Sequence, residues 1–189
     1  ETRDYAIVTT HGLETREMVA CFDADWAHED FVPHPESRLI WCPDNGRQRV
    51  AEFIDAAKHS LWVQNERYQD TVIIERLVRA ATRGVKVHVL TKKPHSLKAG
   101  KLVEGVGGLR IMQDVGVKVH TLKHLKLHAK MMLADGERAI VGSISCGSRT
   151  AASDTNQTPS PYCSTLSADT GSARRVLPEP PGPVRVTTR

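Results

Sequence analysis

Hydrophobic and polar positions follow two different periods along the middle of the chain. Between Leu39 and Leu122, apolar runs of strand length alternate with segments in which apolar residues recur every three to four positions. This alternation is typical of βαβ units built around a parallel sheet. The pattern therefore predicts an α/β fold, in which helices flank a mixed sheet whose strands are mainly parallel.

The first two predicted helices each have one apolar face. A strand at Leu39–Cys42 and a turn precede a helix with apolar residues at positions 50, 53, 54 and 57. A strand at Leu61–Gln64 precedes Asp70, which is placed to cap a helix with apolar residues at positions 74, 77, 78 and 81. Gly84 is expected to end this helix, and a strand at Val85–Leu90 follows.

The remaining segments have weaker patterns. Residues 100–115 predict a third helix that several glycines interrupt, and Val117–Leu122 alternates like a half-buried strand. Residues 1–38 contain one predicted strand, Tyr5–Thr9, and one predicted helix, Glu14–Phe22. We interpret residues 1–38 as a connector and residues 39–145 as the folded domain.

Composition changes after residue 145. Residues 146–189 contain six of the ten prolines and no lysine, and they are rich in Ser and Thr. This composition predicts a disordered C-terminal tail. No apolar run reaches the ~18 residues of a membrane helix, and the first residues do not resemble a signal peptide. We therefore expect a soluble or peripherally membrane-bound chain, and the sequence leaves its location open.

Charge and cysteine content narrow the function only slightly. Lys and Arg number 26 against 22 Asp and Glu, which gives a net charge of +4. This charge mildly favours anionic partners, but it does not distinguish among phospholipid, nucleic acid and a small phosphodiester. The four cysteines form no C-x-x-C pair, so the sequence supports neither a zinc site nor a disulfide framework.

The segment "HAKMMLADGERAIVGS" contains the polar residues with the most regular spacing. His128 and Lys130 are two positions apart, so in a strand both side chains leave from the same face. Asp135-Gly136 is a turn signal, which predicts an antiparallel hairpin around residues 135–138. Taken singly, each of these residues has an ordinary structural explanation, such as a surface histidine or a solvated lysine.

The hairpin register decides which polar side chains meet. If Ala134 opposes Ala139, then Lys130 opposes Ser143 and His128 opposes Ser145, and the four polar residues share one face. Such a patch suits a phosphodiester. Lysine and serine donate hydrogen bonds to phosphate oxygens, and an imidazole attacks phosphorus or transfers a proton, without any metal.

Together these residues form H-x-K-x4-D-x6-G-S, which resembles the HKD motif of the phospholipase D superfamily. The matching positions are His128, Lys130, Asp135, Gly142 and Ser143. The resemblance extends to "TRDYAIVT" with "CFDADW" and to "AAKHSLWVQNERYQDTVIIERLVRAATRGVKVHVLT", so it covers the chain up to about residue 145. It implies a phospholipase D-like lobe with the motif on a β-hairpin.

The resemblance also implies roles for the motif residues. In this superfamily two HKD motifs meet at one active site, where one histidine forms a phosphohistidine and the other protonates the leaving alcohol. By resemblance, His128 is the nucleophile or the general acid, and Lys130 and Ser143 bind phosphate. Asp135 supports an imidazole, and Ser145 occupies a phosphate-binding position at which the family often has Asn. No cofactor and no metal is implied.

This chain contains one copy of the motif, so the resemblance implies a partner lobe. The partner is either an N-terminal half that precedes Glu1 or a second copy of the chain in a homodimer. The abrupt change after Cys146 departs from the family pattern and indicates a truncated or frame-shifted end, so that the domain 39–145 is incomplete at its C-terminus.

The leading hypothesis is a phospholipase D-type phosphodiesterase or phosphatidyltransferase that acts on phospholipids, similar to cardiolipin synthases and with peripheral membrane contact. One alternative is a metal-independent nuclease of the same superfamily, with nucleic acid as substrate. The other is an inactive, truncated remnant that still binds phosphate.

Overall fold

Four helices and eleven strands are present in the described part of the chain, which comprises residues 2–42, 44–92, 99–122, 124–142, 163–169 and 186–187. For residues 99–105, 163–169 and 186–187, this computed structural model describes the backbone only. The helices are α1 Gly12–Ala27, α2 Gly46–Asp55, α3 Thr71–Thr82 and α4 Ala99–Asp114. The strands are β1 Thr2–Arg3, β2 Ile7–Val8, β3 Leu39–Cys42, β4 Ser60–Gln64, β5 Lys86–Thr91, β6 Lys118–Thr121, β7 Lys126–Leu127, β8 Lys130–Ala134, β9 Arg138–Gly142, β10 Cys163–Asp169 and β11 Val186–Thr187.

Seven strands form the main sheet, in the order β3-β10-β9-β8-β4-β5-β6. Strands β4, β5 and β6 pair in parallel, whereas β8 and β10 run antiparallel to both of their neighbours. The other five strands therefore run in one direction and end at the same edge of the sheet. The predicted α/β fold with a mixed sheet is confirmed: five of the seven strands run in one direction, although four of the six ladders are antiparallel.

The core lies between one face of this sheet and helices α2, α3 and α4. Alternate strand residues, among them Leu61, Val63 and Val89, are buried against Ile54 and Leu77 of the helices. Helix α1 packs on the opposite face, where its Cys21 contacts the cluster around Leu39 and Trp41. Helices thus flank the sheet on both faces, as the alternation of strand-like and helix-like segments in the sequence predicts.

The segments with strong periodicity fold as predicted. Strand β3 has the predicted bounds, and α2, β4, α3 and β5 each fall on their predicted segment. The Asp70 side chain caps α3 by accepting hydrogen bonds from the backbone N–H groups of Val72 and Ile73, at 3.0 and 3.2 Å. Helix α3 ends just before Gly84, as expected, and α4 ends just before Gly116.

Replacing the α3 cap should cost measurable stability. Asp70→Ala removes the acceptor of both N–H groups and the 3.0 Å ion pair with Arg47. We expect a loss of about 1 kcal/mol in the free energy of unfolding, measured by urea denaturation. Asp70→Asn keeps an acceptor at the cap and serves as the matched control. Equal losses in the two variants would show that the ion pair, rather than the cap, stabilises this helix.

One glycine of helix α4, Gly108, lies very close to the backbone of a neighbouring segment. A Cβ on Gly108 would lie 2.7 Å from the carbonyl oxygen of Tyr68 and 2.7 Å from Cδ1 of Ile74. Such distances are far inside van der Waals contact, so any larger residue would push α4 away from α3. The glycines that weaken the helix signal in the sequence therefore include one that close packing requires.

The two ends of the chain differ most from expectation. The predicted strand Tyr5–Thr9 is reduced to β2, and the predicted helix Glu14–Phe22 extends to the sixteen residues of α1. Strand β10 lies inside the main sheet between β3 and β9, and β11 pairs with β2. Composition predicts a disordered tail for residues 146–189, whereas these two strands are described there. Strand β10 has ladder partners on both sides, and β11 pairs with β2 alone. Residues 143–162 and 170–185 lie outside the described residues. The domain bounds 1–38, 39–145 and 146–189 stay predictions.

Within the described residues, no helix has both the length and the apolar character that crossing a membrane requires.

Candidate active site

The first strand of the chain lies directly beside the segment that carries His128. Strand β1 pairs in parallel with β7, with Arg3 opposite Leu127. The carbonyl oxygen of Arg3 also accepts hydrogen bonds from the N–H groups of His128 and Ala129, at 3.4 and 3.0 Å. The residues that follow the pair Arg3–Leu127 are Asp4 and His128. This short ladder therefore brings together two side chains that are 124 positions apart in sequence.

A hydrogen bond joins the side chains of Asp4 and His128, with 2.9 Å between Oδ2 and Nδ1. The hydrogen bond with His128 is the main influence that lowers the pKa of Asp4, while partial burial opposes it, and the positive charge of Lys130 contributes further to lowering it. Asp4 is therefore a carboxylate at neutral pH and can only accept this bond. Nδ1 of His128 must carry the hydrogen of this bond, which leaves Nε2 as the ring nitrogen for chemistry.

Lys130 lies next to His128, although the geometry differs from the predicted one. His128 and Ala129 precede β8, and the Lys130 ammonium donates a 2.8 Å hydrogen bond to the carbonyl oxygen of His128. The side chain of His128 is about two-thirds exposed. The structure therefore confirms that the two residues are neighbours, but it does not place both of them in one strand.

The hairpin register is shifted by one residue from the prediction. Ala134 pairs with Arg138 rather than Ala139, and Lys130 consequently pairs with Gly142 rather than Ser143. The turn is tighter than expected because the N–H of Glu137 donates to the carbonyl oxygen of Ala134 at 3.0 Å. Asp135 and Gly136 both have positive φ, as type I′ turns require. The hairpin itself is present as predicted, with an incorrect predicted register.

The structure places Asp135 at the other end of the hairpin from His128. The strand between Lys130 and this turn is about 16 Å long at the usual rise per residue. The Asp135 carboxylate accepts hydrogen bonds from the N–H groups of Lys58, His59 and Ser60, at 3.0, 2.7 and 2.9 Å. Within this chain, Asp135 therefore does not support the His128 imidazole. It fixes the turn to the start of β4, and Asp4 takes the predicted place beside the imidazole.

The two predicted serine donors, Ser143 and Ser145, lie outside the described residues. Their phosphate-binding role remains a prediction. That prediction assumed that Ser143 pairs with Lys130. In the described part of β9, Gly142 pairs with Lys130 instead.

A cleft beside Lys130 completes the described part of the site. Gln64, Asn65 and Gly142 line it, together with apolar side chains of α2, β8 and β9. The hydroxyl of Tyr5 donates to Oε1 of Gln64 at 3.4 Å, which ties the segment after Asp4 to the end of β4. Glu66, which follows β4, forms a 3.0 Å ion pair with Lys92.

Sequence reasoning missed Asp4. The only available signal was that the "TRDYAIVT" segment resembles the family, because nothing in local spacing connects residue 4 with residue 128. The histidine of β6 that precedes the motif, His120, contacts His88 rather than His128.

Comparisons with known proteins agree with the fold and with the family that the sequence resembles. The family model described as "Cardiolipin synthase, PLD-like domain" matches residues 50–157, which is more than half of the 189-residue chain. That segment contains His128, Lys130 and Asp135. A search among curated proteins finds no match.

Solved structures with a similar fold include the phospholipase D family member Nuc from Salmonella typhimurium, at 18% identity and a TM-score of 0.54, covering 69% of this chain and 81% of Nuc. NucT from Helicobacter pylori is similar at 20% identity and a TM-score of 0.51, covering 69% of this chain and 83% of NucT. Polyphosphate kinase from Porphyromonas gingivalis matches at 19% identity and a TM-score of 0.53, covering 75% of this chain and 27% of the kinase. At these identities the likeness shows the fold alone. The match of the family model over most of the α/β domain shows that the chain belongs to the phospholipase D superfamily, in the family of cardiolipin synthase, PLD-like domains.

Proposed function

We propose that this chain is one lobe of a phospholipase D-type enzyme that cleaves or transfers phosphodiesters of phospholipids through a phosphohistidine. The observation that carries the proposal is the arrangement of Asp4, His128 and Lys130. A carboxylate holds Nδ1 of the imidazole at 2.9 Å, and an ammonium group lies against the histidine's own carbonyl oxygen. Superfamily members are phosphodiesterases, which supports the general class of reaction.

The chemistry follows from the free nitrogen of His128. As nucleophile, Nε2 attacks phosphorus, the P–N bond forms, and the P–O bond to the leaving alcohol breaks. As general acid, the protonated ring instead gives its Nε2 proton to that oxygen. Lys130 stabilises the negative charge that develops on the phosphoryl oxygens. Asp4 keeps the hydrogen on Nδ1 in both roles, so the proposal leaves the choice between them open.

The chain supplies one such histidine in its HKD motif, so the proposal includes a second lobe. The two sources considered are an N-terminal half and a second copy of this chain. A symmetric dimer would place two identical Asp4–His128 pairs at one site.

The phospholipid substrate is supported by the cardiolipin synthase-like family model. The net charge of +4 and the lysines at positions 118, 126 and 130 favour nucleic acid as the alternative substrate. Parallel assays with phosphatidylglycerol vesicles and with single-stranded DNA, both in excess chelator, discriminate between the two. Release of glycerol or formation of a new phospholipid supports the proposal. Cleavage of DNA alone would contradict the lipid assignment.

The Asp4–His128 hydrogen bond gives the proposal a specific test. In Asp4→Asn, an amide replaces the carboxylate acceptor and no longer fixes the hydrogen on Nδ1. We expect kcat to fall about 10²-fold or more, with a smaller change in KM, on a chromogenic phosphodiester. The nitrogen-15 shifts of the His128 ring should show that the hydrogen is no longer held on Nδ1.

Asp23→Asn, on the exposed side of α1, is the matched control and should leave both readouts unchanged. If Asp4→Asn lost activity while the His128 ring kept its hydrogen on Nδ1, the proposed positioning role of Asp4 would be wrong.

A further inference from the structure

The side-chain amide of Gln64 is buried, and its nitrogen makes no hydrogen bond. Gln64 is the last residue of β4, pairs with Met131 of β8, and is only 4% exposed. Nε2 carries two N–H donors, and it has no partner in the part of the chain that the structure describes. Burying a donor without an acceptor destabilises a fold, so almost all such groups in proteins are paired. This exception indicates that an acceptor from outside the chain completes the amide.

Tyr5 fixes the orientation of this amide. The hydroxyl of Tyr5 donates to Oε1 of Gln64 at 3.4 Å. Only the oxygen of the amide can accept that bond, so Nε2 is held on the side away from the hydroxyl. Tyr5 directly follows Asp4, whose carboxylate binds Nδ1 of His128. Two consecutive residues therefore fix both the Gln64 amide and the imidazole of the candidate active site.

Gln64 and Lys130 line the same cleft, which has a free volume of about 20 Å³. That volume holds a water molecule or one oxygen atom of a larger group. The Lys130 ammonium has three N–H donors, of which one binds the carbonyl oxygen of His128. The rest of the wall is mainly apolar and consists of Val50, Asn65, Met131, Met132, Ile140 and Gly142. An amide donor and a cationic donor in such a wall favour an oxygen that carries negative charge.

We propose that Gln64 is a phosphate-binding residue of this site. Its Nε2 donates to a non-bridging oxygen of the phosphodiester, and Lys130 neutralises the charge of that oxygen. The inference rests on the proposed function for its substrate, and it adds a neutral donor that the HKD motif does not contain. Because the amide is neutral, it binds the oxygen without placing a second full positive charge beside Lys130. A bound water molecule is the competing occupant, and phosphate binding distinguishes the two.

Replacing Gln64 by leucine separates binding from structure. Gln64→Leu keeps a similar side-chain volume and removes an unpaired buried donor, so the melting temperature should stay close to that of the unmodified chain or rise. We expect kcat/KM for a chromogenic phosphodiester to fall at least about tenfold, and inorganic phosphate to bind at least about tenfold more weakly. Gln113→Leu, at an exposed position of α4, is the matched control and should leave all three quantities unchanged.

A titration of the unmodified chain with inorganic phosphate covers the case in which Gln64→Leu fails to fold. The side-chain N–H signals of Gln64, identified in nuclear magnetic resonance spectra by their contacts with the Tyr5 ring, should shift in a saturable manner. The physical reason is that a phosphate oxygen becomes the acceptor of a donor that had none. Lys130→Ala should weaken the same titration, since the ammonium group supplies the charge.

The outcomes separate this inference from the proposed function. Phosphate that binds through Lys130 but leaves the Gln64 signals unmoved would overturn the inference and leave the proposed function standing. The same holds if folded Gln64→Leu matches the unmodified chain in turnover and phosphate affinity, which would assign the cleft to a bound water. A folded chain that binds no phosphate would also overturn the inference. A phosphate-dependent shift of Gln64 in a chain without phosphodiester turnover would support the phosphate site and contradict the enzymatic proposal.

Discussion

His128→Ala should abolish phosphodiester turnover, with a loss of about 10³-fold or more in kcat/KM. The variant removes the nitrogen that attacks phosphorus or protonates the leaving group, and no other described side chain occupies its position beside Asp4. Most of its side chain is exposed, so truncation leaves little cavity and should not lower stability by more than about 0.5 kcal/mol. The loss is measured as steady-state turnover of a chromogenic phosphodiester in excess chelator, on protein whose mass in solution is known.

The control for this prediction is His34→Ala, another exposed histidine, which lies after α1. Its kcat/KM should match that of the unmodified chain. Retention of activity in a folded His128→Ala variant would show that the motif histidine is not a reacting group. If excess chelator abolished the turnover of both the unmodified chain and His34→Ala, the chemistry would instead depend on a metal.

Asp135→Ala should lower the free energy of unfolding by about 2 kcal/mol. The substitution removes a carboxylate that accepts from three successive backbone N–H groups, of Lys58, His59 and Ser60. It also places alanine at φ 57°, a left-handed conformation that Asp and Asn tolerate better. Urea denaturation measures the effect.

Asp135→Asn separates structure from catalysis, since it keeps an oxygen acceptor and tolerates the turn conformation. It should lose less stability than Asp135→Ala and should keep kcat, because Asp135 does not contact His128. A large loss of kcat at unchanged stability in Asp135→Asn would instead assign a catalytic role to this carboxylate, for example in the partner lobe's site.

The Asp135 contacts also predict a pH dependence. Burial raises the pKa of Asp135, but the three backbone hydrogen bonds outweigh this and hold it below its usual value. A carboxyl with a lowered folded pKa contributes stability that is fully present above the unfolded value of about 3.9. That contribution is lost as the pH falls through the lowered pKa. The stability difference between the unmodified chain and Asp135→Ala should therefore shrink in acid.

Local periodicity was sufficient to predict the central βαβ units. The apolar positions of α2 and α3 recur with the helical period, and the core residues of β4 and β5 alternate with exposed ones. Asp70 could be recognised as a cap because capping involves only the next few residues. The apolar periodicity and the helix cap depend only on residues a few positions apart, so they can be predicted from the sequence alone.

Long-range pairing could not be predicted in the same way. The ladder between β1 and β7 joins residues 2 and 126, and nothing in either segment specifies the other. Asp4 was therefore missed, although its carboxylate forms a hydrogen bond with the imidazole of the predicted catalytic histidine. Sequence comparison with the family would have directed attention to "TRDYAIVT", but it would not have shown the contact.

The hairpin shows how a small local error moves a site. "ADGERA" predicts a turn correctly, but the sequence does not show whether pairing resumes at Arg138 or Ala139. The hydrogen bond between Glu137 and Ala134 decides it, and every later pairing moves by one residue. Because side chains alternate between faces, such a shift changes which residues of β9 share a face with Lys130.

The measurement that tests the central proposal most directly is mass spectrometry of a rapidly quenched reaction, with a phosphodiester substrate and excess chelator. In a verified dimer of this chain, we expect an acid-labile phosphoryl adduct on His128, absent from His128→Ala and reduced in Asp4→Asn. Turnover by the dimer without any phosphohistidine, or an adduct on a different residue, would contradict the proposed mechanism. A folded dimer that shows neither turnover nor an adduct would instead support the inactive, phosphate-binding alternative.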